Sequence, residues 1–189
     1  MVAHADQKVE KRRKSKPALS PFVVSQILAG MAFALGLASF QFKPRHLILL
    51  CLVGSTLLNS AHFFLLEKPG PATLMLLTGI RYLAALSTAN RKVMYFFFLI
   101  TLGSFLLTFK SPLSFLALLG SFVGTYGSFH PSDRGIRLFF MGGNLIWLIH
   151  NTLAATPVAA IMEAAFLTSS VLGYWRFHRA RRDSIPVRE

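Results

Sequence analysis

Few residues in this chain could do chemistry, and those few stand in apolar surroundings. Glu163 is the one acid of the chain that lies inside an apolar run; Asp6, Glu10, Glu67, Asp133, Asp183 and Glu189 fall in tails or short connections. His150 lies about thirteen residues earlier, across a short break at Ala154–Thr156. Counting from that break at 1.5 Å per helical residue, the two sit at similar depth, roughly 7–10 Å in. A His and a Glu at one depth on neighbouring helices could share a proton or form an ion pair. Burial of the pair would work against its charges, and mutual attraction would work for them. The alternative is a polar clamp that only holds two helices together.

Arg81 is the one basic residue in the middle of an apolar run. It could reach Glu163 through water, or extend its head to an interface. If buried, it is an anchor for an anionic group. His62 is the counterpart of His150 in an earlier helix, but Met75 stands where a second acid would be needed. Asn59, Asn144 and Asn151 add uncharged hydrogen-bonding groups, for which interhelical bonding is the plainer role. The candidate substrate-binding or proton-coupling residues are therefore His62, Arg81, His150, Asn151 and Glu163. Trp147, Trp175, Tyr126 and Tyr174 suit interface or packing positions.

Such groups need elements to hold them, and the elements are hydrophobic helices. Hydrophobic residues make up 53% of the chain and charged residues 14%, where a soluble domain carries roughly 25% charged. A bilayer core of about 30 Å takes about 20 apolar residues in helix. The pattern predicts about seven spans, near 21–41, 46–66, 71–88, 92–109, 112–129, 136–153 and 157–175. Pro44, Pro69, Pro71, Pro112, Pro131 and Pro157 lie in or beside the short connections, where proline cannot continue the preceding helix. The gaps leave no room for a soluble domain. The basic stretch 1–20 and the basic stretch 176–189 remain outside as tails, expected to be mobile. The first apolar run is long enough to span and is read as a retained helix rather than a cleaved signal.

An internal repeat is visible at an offset of 88: Gly54 maps to Gly142, His62 to His150 and Pro69 to Pro157. The layout is three helices over 21–88, a linker helix over 92–109, then three helices over 112–175. An odd linker leaves the two halves parallel, related by an axis along the membrane normal. Spaced glycines in the first and fifth helices (Gly30, Gly36; Gly120, Gly124, Gly127) suggest close helix contact.

The net charge of +13 raises the question of nucleic acid, but no polar folded surface remains to carry a groove for it. The charges are better explained as topology signals that meet anionic lipid heads. The loops and tail on the C-terminal side hold eleven basic residues and the opposite side eight, six of these in the N-terminal tail. The loop count places the C terminus in the cytoplasm; the basic N-terminal tail pulls the other way. Cys51 is the one cysteine, so no internal disulfide or C-x-x-C motif exists. The sequence holds no phosphate loop, zinc spacing, nucleophile elbow or paired-carboxylate motif. It gives no reason to expect an enzyme, a metal or a cofactor.

His62-Phe63-Phe64-Leu65-Leu66, then Arg81, then Trp147-Leu148-Ile149-His150-Asn151, Met162-Glu163 and Trp175-Arg176-Phe177 together resemble the YgjV family of bacterial inner membrane proteins. The resemblance covers about residues 23–182. That family is grouped with the SWEET sugar transporters and PQ-loop transporters, whose helices follow a three-plus-one-plus-three order. The resemblance thus implies a multi-pass protein of the bacterial inner membrane with a role in small-solute transport. The wider superfamily uses prolines within its helices as hinges, often in a Pro-Gln pair; this chain has no Pro-Gln dipeptide. Expected partners are membrane lipids and an unidentified small polar solute, with a homo-oligomer left open. The competing expectation is a non-transporting scaffold, lipid-binding protein or partner subunit. On the transporter reading, Glu163→Gln stops uptake; on the other, it changes stability alone.

Overall fold

The computed structural model describes residues 20–109 and 111–179. These form seven α-helices: α1 (Pro21–Ser39), α2 (Arg45–Leu65), α3 (Pro69–Ser87), α4 (Arg91–Thr108), α5 (Ser114–Phe129), α6 (Asp133–Leu153) and α7 (Pro157–Arg179). No strand occurs among the described residues. The expected tails at 1–19 and 180–189 lie outside them. The helices match the seven expected runs one to one, with ends that move by a few residues.

The shifted ends have local causes. Pro69 and Pro71 fall inside the first turn of α3, where a missing N–H costs no helical bond. Helix α6 begins at Asp133 because Ser132 caps it, its Oγ accepting from Gly135 N at 3.0 Å. Asn90 caps α4 in the same way through Lys92 N at 2.8 Å.

The exterior is apolar: Leu107 is 89% exposed, Val158 71% and Ile161 69%. Such a surface fits lipid and not water. By length and composition alone, α1, α2 and Pro157–Phe177 of α7 can cross a membrane. Helix α5 is as apolar but has 16 residues. In α3 and α6 the charges of Arg81, Asp133, Arg134 and Arg137 lower the mean hydropathy.

Helix α2 packs most extensively on α1 and α3, and α6 on α5 and α7; α4 leans on α5 and barely touches α3. The turns α2–α3 and α6–α7 are built alike, bond for bond, at the offset of 88. In the first, Leu66 N, Glu67 N and Lys68 N donate to His62 O, Phe64 O and Phe63 O. In the second, Ala154 N, Ala155 N and Thr156 N donate to His150 O, Thr152 O and Asn151 O. Each turn needs one left-handed residue, and Glu67 (φ 57°) and Ala155 (φ 53°) take it without being glycine.

The densest packing lies in the half of the molecule that holds the α1–α2, α3–α4 and α5–α6 loops. Phe40, Ile48, Leu49, Met94, Phe129 and Ile136 are all buried there. The opposite half, at the α2–α3, α4–α5 and α6–α7 turns, holds a cavity instead.

Candidate functional site

The cavity has a volume of about 340 Å³ and lies between α3, α4, α5 and α6. Its lining comes from the N-terminal part of α3 (Leu74 to Arg81), the C-terminal part of α4 (Phe97 to Phe105), the start of α5 (Ser114 to Ser121) and the end of α6 (Trp147, His150). Helix alternation makes this one end of the bundle. Phe97, packed 6.0 Å from Phe129 in the core, closes the cavity toward the other end.

Arg81 stands in the cavity wall. Its NH1 donates to Thr125 Oγ1 at 2.7 Å, and Thr125 in turn donates to Ser121 O at 2.7 Å. The Nε of Arg81 is buried without a partner. Among the described residues no carboxylate pairs with this guanidinium.

Trp147 and His150 form the facing wall, their rings 5.2 Å apart and edge to face. Trp147 lies against Gly120, where a Cβ would come within 2.9 Å of its Nε1. Glycine is therefore what admits the indole between α5 and α6. His150 Nδ1 lies 3.2 Å from Asn151 Oδ1, and Thr156 Oγ1 donates to the Asn151 carbonyl at 3.0 Å. Asn151 thus stands beside the cavity and orients His150 rather than lining the space itself.

The structure brings Arg81 and His150 together around one cavity and leaves His62, Asn151 and Glu163 outside its lining. His62 Nδ1 lies 2.8 Å from Ser25 O and so binds α2 to α1. It works beside Ser55, which donates to Ala32 O at 2.7 Å, and Ser60, which donates to Ala72 O at 2.8 Å. Glu163 forms no pair with His150 and no hydrogen bond with any described residue. Depth along a helix is half of a position, and rotation about its axis is the other half. Along α7, Glu163 shares a helical stripe with Phe166, whose ring lies 5.3 Å from that of Phe33 and which meets Gly36. That stripe turns to α1. His150 shares the stripe of Gly143 and Trp147, which turns to α5.

Arg137 is a residue that sequence reasoning passed over, since it reads as one more basic residue at a helix start. It is fully buried, 0% exposed. Its NH1 donates to Phe40 O at 2.6 Å, its NH2 donates to Phe42 O, and its guanidinium lies 4.9 Å from the Phe177 ring centre. Gly173 leaves room for this contact, since a Cβ there would collide with Phe40 O and come within 2.8 Å of Arg137 NH1. The available signal was an arginine one turn inside an apolar helix, four residues past an acid. Of the spaced glycines, Gly36, Gly120 and Gly127 do mark close helix contacts, with Phe166, Trp147 and Phe139, whereas a Cβ at Gly30 or Gly124 would meet nothing within 4 Å.

Residues 23–181 match the family described as bacterial inner membrane protein, Imp-YgjV. The chain is also 27% identical over 173 residues to the inner membrane protein YgjV of Escherichia coli (strain K12), covering 88% of this chain and 91% of that protein. No solved structure matches it. The apolar exterior, the seven helices and a family match across nearly the whole helical region lead to one assignment: this chain belongs to the YgjV family of bacterial inner membrane proteins.

Proposed function

We propose that this protein carries a small polar solute across the inner membrane, with the cavity between α3, α4, α5 and α6 as its binding chamber. The observation that carries the reading is the contrast between the two ends of the bundle. One end holds a chamber of about 340 Å³ with Arg81 and His150 in its wall. The other is filled by the aromatic and aliphatic core and tied across by the half-buried Arg45 and the buried Arg137. A chamber at one end of the bundle and a packed core at the other is what a carrier needs at one stage of its cycle. Two three-helix groups with α4 between them also fit the three-plus-one-plus-three order of the transporters with which the family is grouped, a fold-level analogy. On this reading the C terminus, and with it the packed end, faces the cytoplasm, as the basic loops favour.

The second reading, a non-transporting scaffold or partner subunit, draws on the hydrogen bonds of His62, Ser55 and Ser60, which tie helices and touch no cavity. A thermal-shift screen of the purified protein against sugars, amino acids, nucleosides and organic acids separates the two. Transport requires that a stabilising solute also enters liposomes containing the protein, and that His150→Gln slows that entry. No stabilising solute, or binding without flux, leaves the scaffold reading standing. A reporter fused to the C terminus tests the orientation.

A further inference from the structure

We infer that the cavity is an oxyanion site, in which Arg81 takes the charge of a carboxylate or phosphate on a small, partly apolar solute. The inference deepens the transport reading and rests on it for the ligand being a cargo.

The guanidinium of Arg81 presents five N–H groups and no acceptor. One of them is used on Thr125 Oγ1, a neutral hydroxyl whose own proton goes to Ser121 O. Nε is buried and unmatched. The Tyr82 ring, 5.2 Å away, offers a weak partial neutralisation. The described acids are Glu67, Asp133 and Glu163. None of them bonds to Arg81.

The other inward arginines are treated differently. Arg45 donates through Nε and NH2 to His130 O, Ala85 O and Ser128 O. Arg137 also leaves its Nε unmatched, but both its terminal nitrogens meet carbonyls. Arg81 meets neither a carbonyl nor a carboxylate, and it is the one of the three that lines this cavity. A charged group in a low-dielectric site without a counter-charge is costly. An anion in the cavity removes that cost, and a planar fork suits the two oxygens of a carboxylate or phosphate.

The remaining wall narrows the body of the ligand. Thr78 and Thr101 already donate to Leu74 O and Phe97 O, so toward a ligand they offer acceptor lone pairs. Leu74, Leu77, Ile100 and Leu118 make much of the rest apolar. The volume lies at the low end of small-molecule pockets, which run roughly 300–1,000 Å³. The match is a small acid with an apolar or hydroxylated body. The same oxyanion chemistry is carried by a free solute and by a phospholipid headgroup, so the test separates them.

The probes are benzoate, its neutral counterpart benzamide, inorganic phosphate, and short-chain phosphatidylglycerol against short-chain diacylglycerol, which lacks the phosphate. Binding to the delipidated full chain in detergent is followed by melting temperature and by Trp147 fluorescence in a Trp175→Phe background. The site stands if an oxyanion binds at least about tenfold more tightly than its neutral counterpart and Arg81→Gln removes that difference, a change of the size a charge-assisted pair supplies. Should Arg81→Gln not fold, Arg81→Lys serves: it keeps the charge, loses the fork, and weakens oxyanion binding severalfold without touching benzamide. Equal binding of benzoate and benzamide together with equal binding of the two lipids overturns the inference, as does oxyanion binding that survives the arginine substitution unchanged. Oxyanion binding at Arg81 with no flux into liposomes sinks the transport reading and leaves the site. Uptake of a neutral solute without oxyanion binding does the reverse. Displacement of bound benzoate by phosphatidylglycerol places the lipid phosphate in the same site and supports the shared chemistry.

Discussion

Arg45 and Arg137 grip the same two positions in each other's half of the molecule. Arg45 reaches Ser128 O and His130 O at the end of α5, and Arg137 reaches Phe40 O and Phe42 O at the end of α1. Phe40 and Ser128 are 88 residues apart, as are Phe42 and His130. The residues at the two helix starts, Arg45 and Asp133, have the same separation and meet directly, Arg45 N donating to Asp133 Oδ1 at 2.8 Å. Carbonyls past the last helical turn have no partner within their own helix, and the negative end of the helix dipole favours a cation there. Each arginine thus answers a need that the opposite half creates.

Arg137→Ala removes one side of this reciprocal grip and leaves two carbonyls unmatched inside the bundle. We expect a loss of about 2–4 kcal/mol, visible as a lower melting temperature in detergent. Arg137→Lys should recover little of it, because an ammonium lacks the fork that spans two carbonyls. Arg137→Ala at wild-type stability would remove the structural role assigned to this contact.

Much of this architecture is legible in the chain, for a physical reason. Runs of about 20 apolar residues closed by proline leave little choice of secondary structure in lipid, so all seven helices stand within a few residues of their expected ends. The identities at Gly54 and Gly142, His62 and His150, Pro69 and Pro157 anticipated two turns that prove alike in every backbone bond. What stayed hidden is rotation about the helix axes. Spacing gives depth to within a turn, but in a helix that is apolar on several sides, no clear polar face marks which way a residue turns. Hence Glu163 and His150 do not share the cavity, and the equivalent histidines 62 and 150 serve different ends. Arg137 was hidden because a charge near a helix end normally reads as a topology signal.

His62→Ala should cost about 1 kcal/mol through loss of the bond to Ser25 O. It should leave solute binding as in the wild type, since His62 lies outside the cavity. His150→Ala should do the opposite, weakening binding with a smaller effect on melting temperature. A loss of binding in His62→Ala without loss of stability would reverse these roles.

Ala155→Gly should stabilise the protein by about 0.5–1 kcal/mol. Ala155 holds a left-handed conformation (φ 53°) at an exposed turn, which glycine adopts without strain. The gain should appear as a higher melting temperature with no change in binding. Glu67→Gly tests the equivalent turn, with a similar gain expected.

Glu163→Gln should leave binding in the cavity unchanged, because its stripe of α7 faces α1. Stability should hold or rise slightly, by up to about 1 kcal/mol, since a neutral amide is easier to hold in a partly buried site than an unpaired carboxylate. Abolished binding with normal folding would restore Glu163 to the site and overturn the placement of its side chain.

Gly120→Ala connects packing to the cavity most directly. The added methyl would lie 2.9 Å from Trp147 Nε1 and 3.3 Å from Ile146 Cγ2, closer than van der Waals contact allows. Either α5 and α6 separate or the indole turns, and the indole borders the cavity. We expect a stability loss of about 1–3 kcal/mol, the usual cost of overpacking. In a Trp175→Phe background, a shift in Trp147 emission should accompany it. Gly30→Ala is the control: a Cβ there meets nothing within 4 Å, and alanine favours the helix by about 0.8–1 kcal/mol in intrinsic propensity. If both substitutions behaved alike, close approach of α5 and α6 at Gly120 could not be what seats Trp147 against the cavity.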